Sequence, residues 1–429
     1  MTAAAGLLAA VDGRRLLDRL AALARIGGLP GGGVTRLAYS PEDVRARELV
    51  AGWMAEAGLE PSVDPAGNLL GRRPGGGARG LLAIGSHLDS VVEAGPLDGA
   101  YGVVAAVEVA DALARAGVRL RHDLVVVAFS NEEGARGTPG MVGSQAIAGL
   151  LTDHDLAVPD AEGVPLGERI AASGGDPGRI AAAAWREPLA AFLELHIEQG
   201  PVLDAAPAVV GVVTGVTGRA NVDVHVTGVA NHAGTTPMRA RRDALVAAAE
   251  LVLAVQRLGR DGHVRVATAG QISAAPGVWN VVPGAATLTV DIRDADDARV
   301  DRAIELLREA AAGVAARTGT HVEVRRGPSV PAVPTDPRLA GAFAAAADAL
   351  GLPRLDLPSG AGHDAQVMAR LGPVGMAFVP SVAGVSHSPR ERTRPEHLVA
   401  GANVLLNALL TADLDTTLDT PDDPAGDAA

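Results

Sequence analysis

Three short apolar runs stop at clusters of residues able to bind a metal, and this repetition restricts the fold more than any other feature of the chain. The run at 81–84 lies between Gly80 and Gly85 and reads as a buried strand, with His87 and Asp89 just past its end. The run at 124–130 (LVVVAFS) ends at Asn131-Glu132-Glu133-Gly134, and 191–195 ends at His196-Ile197-Glu198-Gln199-Gly200. Asp98 follows the first run after a polar loop, and a helical pattern opens beside it. In open α/β sheets, ligands bind in the crevice beyond the carboxyl ends of the strands. His87 and Asp98 are therefore expected to hold a metal there.

Composition narrows the chemistry. A chain of 429 residues exceeds one ordinary core, so two domains are expected. The net charge of −13 and the lack of a basic tract argue against nucleic acid. No apolar run is read as approaching a membrane span, so no membrane association is expected. The opening residues (MTAAAGLLAA) lack a basic start and run into an amphipathic helical pattern instead of a signal peptide, which points to a cytoplasmic location. There is no cysteine, and all 37 basic residues are arginine. That excludes thiolate and Schiff-base chemistry, a P-loop lysine and a carboxylated lysine between two metals. Carboxylates, imidazoles, hydroxyls, guanidiniums and a metal bound through nitrogen and oxygen remain.

Along the chain, a formal G-x-G-x-x-G from Gly75 to Gly80 precedes a strand where a dinucleotide site would follow one, and reads as a hairpin loop. The pattern changes near Val213, where strand, helix, strand, strand, helix and strand follow in the order of a ferredoxin-like unit. The first style then resumes, with a loop at Ser359–Asp364 and another at Ser386–Pro389. The expected organisation is a discontinuous α/β domain of residues 1–212 and 327–415, an inserted α+β domain of 213–326, and an acidic tail of 416–429 with a disordered composition.

If the strand ends share one crevice, His87, Asp98, Glu133, His196 and His387 converge as ligands. Imidazole and carboxylate suit Zn²⁺, Mn²⁺ or Co²⁺. One Asp could bridge two such ions about 3.5–4 Å apart. Glu132 and Glu133, pointing opposite ways on extended chain, would divide into a general base and a ligand. Asp89 is placed to accept the other N–H of His87.

Taken together, GSHLDS, LDG, NEEG, HIEQGPVL, NHAGTTPM, SGAGHDA and GVSHSP, in this order, resemble the M20 metallopeptidase superfamily. Within it they are similar to the amidase/carbamoylase branch of N-carbamoyl-L-amino-acid hydrolases, allantoate amidohydrolases and β-ureidopropionase-like enzymes. The resemblance spans about 37–410 and implies an α/β/α mixed-sheet dinuclear metallohydrolase domain carrying a ferredoxin-like lid that pairs two protomers. It implies two divalent ions (Zn, Mn or Co) per subunit: one held by His87, Asp98 and His196, the other by Asp98, Glu133 and His387. Glu132 would be the base. Gln199, His232, Asn280, Arg293 and Gly360 match substrate contacts, with His232 acting on the partner's site.

The implied reaction is hydrolysis of a ureido C–N bond of an N-carbamoyl-L-amino acid, or of allantoate, by a metal-bridging hydroxide. A peptidase or deacylase, and a non-catalytic metal-binding dimer, are the alternatives. Plainer roles also stand for three residues: Arg293 in a salt bridge with Asp291 or Asp294, Asn280 as a turn residue, and the His232 loop as packing only. Gly137 and Gly95-Pro96-Leu97 depart from the branch's usual residues and bear on the shape of the substrate pocket.

Overall fold

The computed structural model describes residues 10–419, which divide into two compact units, one of residues up to Thr214 with those from Thr335, the other Gly215–Pro334. The second crossing falls later than the sequence pattern suggested, because the last strand of the insert, His321–Val330, runs on past Arg326. Thr416–Leu418 forms a 3₁₀ turn with Leu418 buried, and Asp419 pairs with Arg121 at 2.6 Å, so the start of the expected tail is ordered structure. The remainder of that tail, and the first nine residues of the amino-terminal reading, lie outside the described residues.

The first unit is built on a mixed nine-stranded sheet. Its centre is Asp123–Phe129, Leu81–His87, Leu189–Ile197 and Val374–Val379, side by side and parallel. Apart from half-buried Asp123, every residue of these four strands is buried, as expected for parallel strands covered on both faces. Glu60–Val63, Leu69–Arg73 and Val210–Val216 extend it antiparallel at the two edges, and Arg354–Ser359 pairs with Val210–Val216. The ninth strand, Val333–Pro334, pairs with Gly215 and Val216, where the chain passes into the second unit. Leu69–Arg73 pairs with Asp123–Phe129 and not with Leu81–His87. The glycine-rich segment is therefore a crossover, correcting the hairpin reading; it is anchored where the Gly75 N–H donates to Asp123 Oδ1 at 2.7 Å.

Side chains alternate across the strands. Leu82, Ile84, Val126, Leu193 and Leu195 join one apolar cluster with the helices Ala100–Arg115, Pro337–Ala349 and Pro395–Leu414. Phe129 and Phe192 meet edge-on at 5.7 Å between ring centres. Pro395–Leu414 is long and apolar enough to cross a membrane, contrary to the reading that no segment reaches that length. Here Leu398, Val404, Leu405, Leu406 and Leu409 are buried in the core.

The helix Gly13–Ala24 is tied to Ala100–Arg115 through a fully buried carboxylate. Glu108 accepts from Arg15 Nε at 3.0 Å and from Arg19 Nη1 at 2.7 Å. Replacing one member of a buried ion network strands the others, at a cost of about 3–5 kcal/mol. Glu108→Ala is therefore expected to lower unfolding stability by about that amount in urea titration. A loss below 1 kcal/mol, the surface-pair range, would show the network to be solvated.

The second unit carries a four-stranded antiparallel sheet in the order His321–Val330, Gly218–Thr227, Ala285–Asp294, Val266–Ala275. With helices Ala244–Arg260 and Asp297–Thr318 this is the β-α-β-β-α-β arrangement. Along Gly218–Thr227, Ala220, Val222, Val224 and Val226 point into a core with Leu251, Val255, Ile304 and Leu307, and the intervening residues face away.

Candidate metal centre and active site

His87 closes the strand Leu81–His87, and His196 stands near the end of the adjacent parallel strand Leu189–Ile197. Both rings are fixed through Nδ1, which pairs with the Asp89 carbonyl at 3.0 Å for His87 and with the Ile197 carbonyl at 2.8 Å for His196. A carbonyl can only accept, so Nδ1 carries the proton and the neutral ring presents Nε2 as its lone-pair atom. Asp98 precedes Gly99, the N-cap of Ala100–Arg115. A Cβ at Gly99 would lie 2.4 Å from the His87 ring, and its φ of +62° favours glycine independently.

The Asp98 carboxylate faces two ways. Its Oδ1 is 3.1 Å from His196 Nε2 and 3.8 Å from His87 Nε2, whereas Oδ2 is 2.9 Å from His387 Nε2. Glu133 Oε1 lies 3.3 Å from His387 Nε2. Two donor groups result, His87–Asp98–His196 and Asp98–Glu133–His387, each with its ligand atoms within 4.8 Å of one another. All five sequence-predicted ligands are thus brought together, with Asp98 common to both groups.

Glu132 and Glu133 do not diverge as on extended chain. Asn131 takes φ +54°, the chain turns, and both carboxylates reach the cluster, Glu132 Oε2 at 3.8 Å from His87 Nε2. Asp89 holds this turn: its Oδ1 accepts from the Glu132 N–H at 3.1 Å and its Oδ2 from the Glu133 N–H at 3.2 Å. Its carboxylate is 3.8 Å from His87 Nδ1, so Asp89 supports the imidazole through its carbonyl and not, as expected, through its side chain.

The electrostatics favour cations. Burial opposes charge on His196, but the hydrogen bond to Asp98, the charges of Asp98 and Glu194 and the Ile197 carbonyl together outweigh it and raise the pKa to about 9. The Asp98 and Glu133 carboxylates raise His387 to about 10. Burial, reinforced by Asp364 and Glu133, pushes Glu132 well above the ordinary carboxyl range. Asp98 is held well below it: burial acts upward, and its imidazole partners outweigh that.

In the metal-free protein both imidazoles keep their protons at neutral pH, whereas a metal needs them neutral. Divalent-ion binding near pH 7.5 is therefore expected to release protons and to tighten as pH rises, measured by calorimetry in buffers of different ionisation enthalpy. Proton release of zero would contradict it. The raised values also stabilise the metal-free fold, fully below pH 6.5 and less as pH climbs through about 9 and 10.

Gln199, expected to meet substrate, donates from Nε2 to Asp98 Oδ2 at 2.9 Å. Its Oε1 is a buried oxygen without a hydrogen-bond partner, and Glu133 Oε1 has the His387 imidazole at 3.3 Å. An unpartnered buried oxygen, with imidazole and carboxylate donors in two groups, fits divalent metal ions of the zinc, manganese or cobalt kind. Gly360 sits just past the strand Arg354–Ser359, with open space where a side chain would project.

Several residues of the site escaped sequence reasoning. His363, on the loop at Ser359–Asp364, has its ring edge-on to His196 at 4.6 Å, and burial pushes its pKa well down. Glu194 takes Ser86 Oγ at 2.7 Å and the Ala365 N–H at 3.1 Å. A glutamate inside an otherwise apolar run was the signal for it. Glu391, four residues beyond His387, accepts from the backbone N–H groups of Leu97 and Asp98. Nothing in its local pattern marked it. Among the other histidines, His122 is buried, with Nδ1 paired to Asp413 Oδ1 at 2.9 Å and Nε2 3.3 Å from Asp419 Oδ1.

The remaining predicted residues lie in the second unit. His232 is exposed on Asn231–His232, paired with Val281–Val282. Its Nδ1 accepts from the N–H groups of Gly234 and Thr235 at 3.1 and 3.2 Å, which leaves Nε2–H as a donor in the neutral ring. Asn280 is exposed, and its carbonyl accepts from the Ala233 N–H at 2.9 Å. Arg293 meets Asp291 through Nε at 2.7 Å and Nη2 at 3.2 Å, so the plainer role weighed for it is present.

Comparison with known proteins decides the family. Residues 83–411 match peptidase family M20/M25/M40. The chain belongs to that family. Within the M20 family it is 41% identical to the N-carbamoyl-L-amino acid amidohydrolase of Geobacillus stearothermophilus, covering 93% of this chain and 98% of that one. It is 35% identical to the allantoate amidohydrolase of Bacillus subtilis, covering 92% and 96%. Among solved structures, a hydantoinase/carbamoylase family amidase from Burkholderia ambifaria shares 44% identity with a TM-score of 0.87, covering 94% and 98%. These likenesses run nearly end to end, so the M20 assignment covers both the sheet that carries the ligands and the inserted unit.

Proposed function

We propose that this chain is a metal-dependent amidohydrolase that cleaves the ureido C–N bond of an N-carbamoyl-L-amino acid, giving the amino acid, carbon dioxide and ammonia. The observation that carries the reading is the pair of donor groups sharing Asp98, with the Glu132 carboxyl, its side chain 10% exposed, beside them. Relatives named for N-carbamoyl-amino-acid and allantoate hydrolysis support the substrate class, and allantoate is the second reading because it too carries a ureido group beside a carboxylate. His87, Asp98 and His196 would hold one divalent ion, and Asp98, Glu133 and His387 a second. Bound there, such ions supply Lewis acidity toward a carbonyl and lower the pKa of water toward about 7.

The chain's own groups do the rest. Glu132 takes the proton of the attacking water and hands it to the departing nitrogen, a task suited to a carboxyl held above its usual range. His232 offers its Nε2–H to the oxyanion. Arg293, positioned by Asp291, clamps the substrate carboxylate, with Asn280, Gln199 and Gly360 as further contacts. The inserted unit pairs two protomers, and His232 serves the partner's site.

The test is ammonia release over a panel of N-carbamoyl-L-amino acids, allantoate and dipeptides, with Zn²⁺, Mn²⁺ or Co²⁺ supplied in turn. Metal-dependent release from the carbamoyl amino acids is expected. Release from allantoate alone would select the second reading, and turnover of dipeptides alone would contradict both.

A further inference from the structure

We propose that Glu391 is the positioning residue of the metal centre, fastening the loop that carries Asp98 to the loop that carries His387. The proposal rests on the reading of Asp98 as the ligand common to both ions. Glu391 is only 2% exposed. Its Oε1 accepts from the backbone N–H groups of Leu97 at 2.9 Å and Asp98 at 3.2 Å, and its Oε2 accepts from Ser386 Oγ at 2.8 Å. Ser386 immediately precedes His387, and its hydroxyl also lies 3.4 Å from Asp98 Oδ2. One carboxylate thus holds the backbone at Asp98 and the side chain of the residue before His387, joining its own segment to one 293 residues away in sequence.

Two features make this grip more than local packing. Asp98 and His387 belong to loops and not to strands, so the sheet that aligns His87 and His196 does not align them. His387 has φ +50° and a side chain 47% exposed, so its own packing fixes it weakly. The chain also leaves room for the carboxylate: a Cβ at Gly95 would lie 2.2 Å from Glu391 Cβ and Oε1. This gives a physical reason for glycine at the start of Gly95-Pro96-Leu97, and it supplies a way to expel the carboxylate without altering it.

The test is Mn²⁺ binding by equilibrium dialysis, with the visible spectrum of the Co²⁺-substituted protein as a second readout. Partners that orient ligands typically contribute about 10–100-fold to metal affinity. Glu391→Ala should weaken the looser Mn²⁺ site by about that factor, with the tighter site affected less, and should change the Co²⁺ spectrum. Glu391→Gln should largely restore both, because its amide oxygen still accepts the two N–H groups and its amide can donate to Ser386 Oγ. Gly95→Ala should reproduce the loss by displacing Glu391. If Glu391→Ala fails to fold, Gly95→Ala and Ser386→Ala carry the comparison.

A lowered melting temperature with both Mn²⁺ affinities and the Co²⁺ spectrum unchanged would overturn the proposal, as would Gly95→Ala binding both ions like the parent. A parent protein that binds fewer than two ions would instead refute the shared-ligand reading beneath it.

Discussion

Glu132→Gln is expected to bind metal as the parent does and to hydrolyse its substrate about 10²–10⁴-fold more slowly, the range set by general-base catalysis. The substitution keeps volume and the backbone hydrogen bond to Asp89, so Glu133 and the His387 group stay in place. What it removes is a carboxyl whose proton affinity is raised by burial and by Asp364 and Glu133. An amide can neither take a proton from water nor deliver one to nitrogen. The loss should fall on kcat, with KM little changed, because the proton is moved in the transition state and not on binding. A variant turning over at the parent rate would assign the base elsewhere.

The second large effect is expected at Asp98. Asp98→Asn retains shape but leaves one acceptor oxygen where two serve, and it removes the charge that His196 and His387 share. Both donor groups lose a member at once, so metal content should fall to less than one ion per chain and activity to the detection limit. His387→Ala touches only one group and should retain one ion. Equal losses in the two variants would argue against a shared carboxylate.

Much of this was legible in sequence because the centre hangs on strand ends. A buried parallel strand has a fixed direction, so a histidine at its carboxyl end can only enter the crevice, and His87 and His196 follow from that rule. The ferredoxin-like order of the insert was readable from alternation such as that in Gly218–Thr227, where every second residue is apolar. The contributions that escaped depend on contacts between distant segments. Glu391 and Leu97 lie 294 residues apart, and no spacing rule links them. The turn that brings Glu132 to His87 and Glu133 to His387 begins at a left-handed residue, Asn131, which strand periodicity does not reveal. The hairpin misreading has the same origin: strand order is decided by which strand enters between two others, and Asp123–Phe129 does so here.

The central claim is that one carboxylate serves two ions gathered from strand ends and loops, and anomalous scattering from crystals of the Mn²⁺-loaded protein tests it most directly. The account predicts two peaks flanking Asp98, one against His87 and His196, the other against Glu133 and His387. A single peak remote from Asp98, or none at all in crystals soaked to saturation, would contradict it.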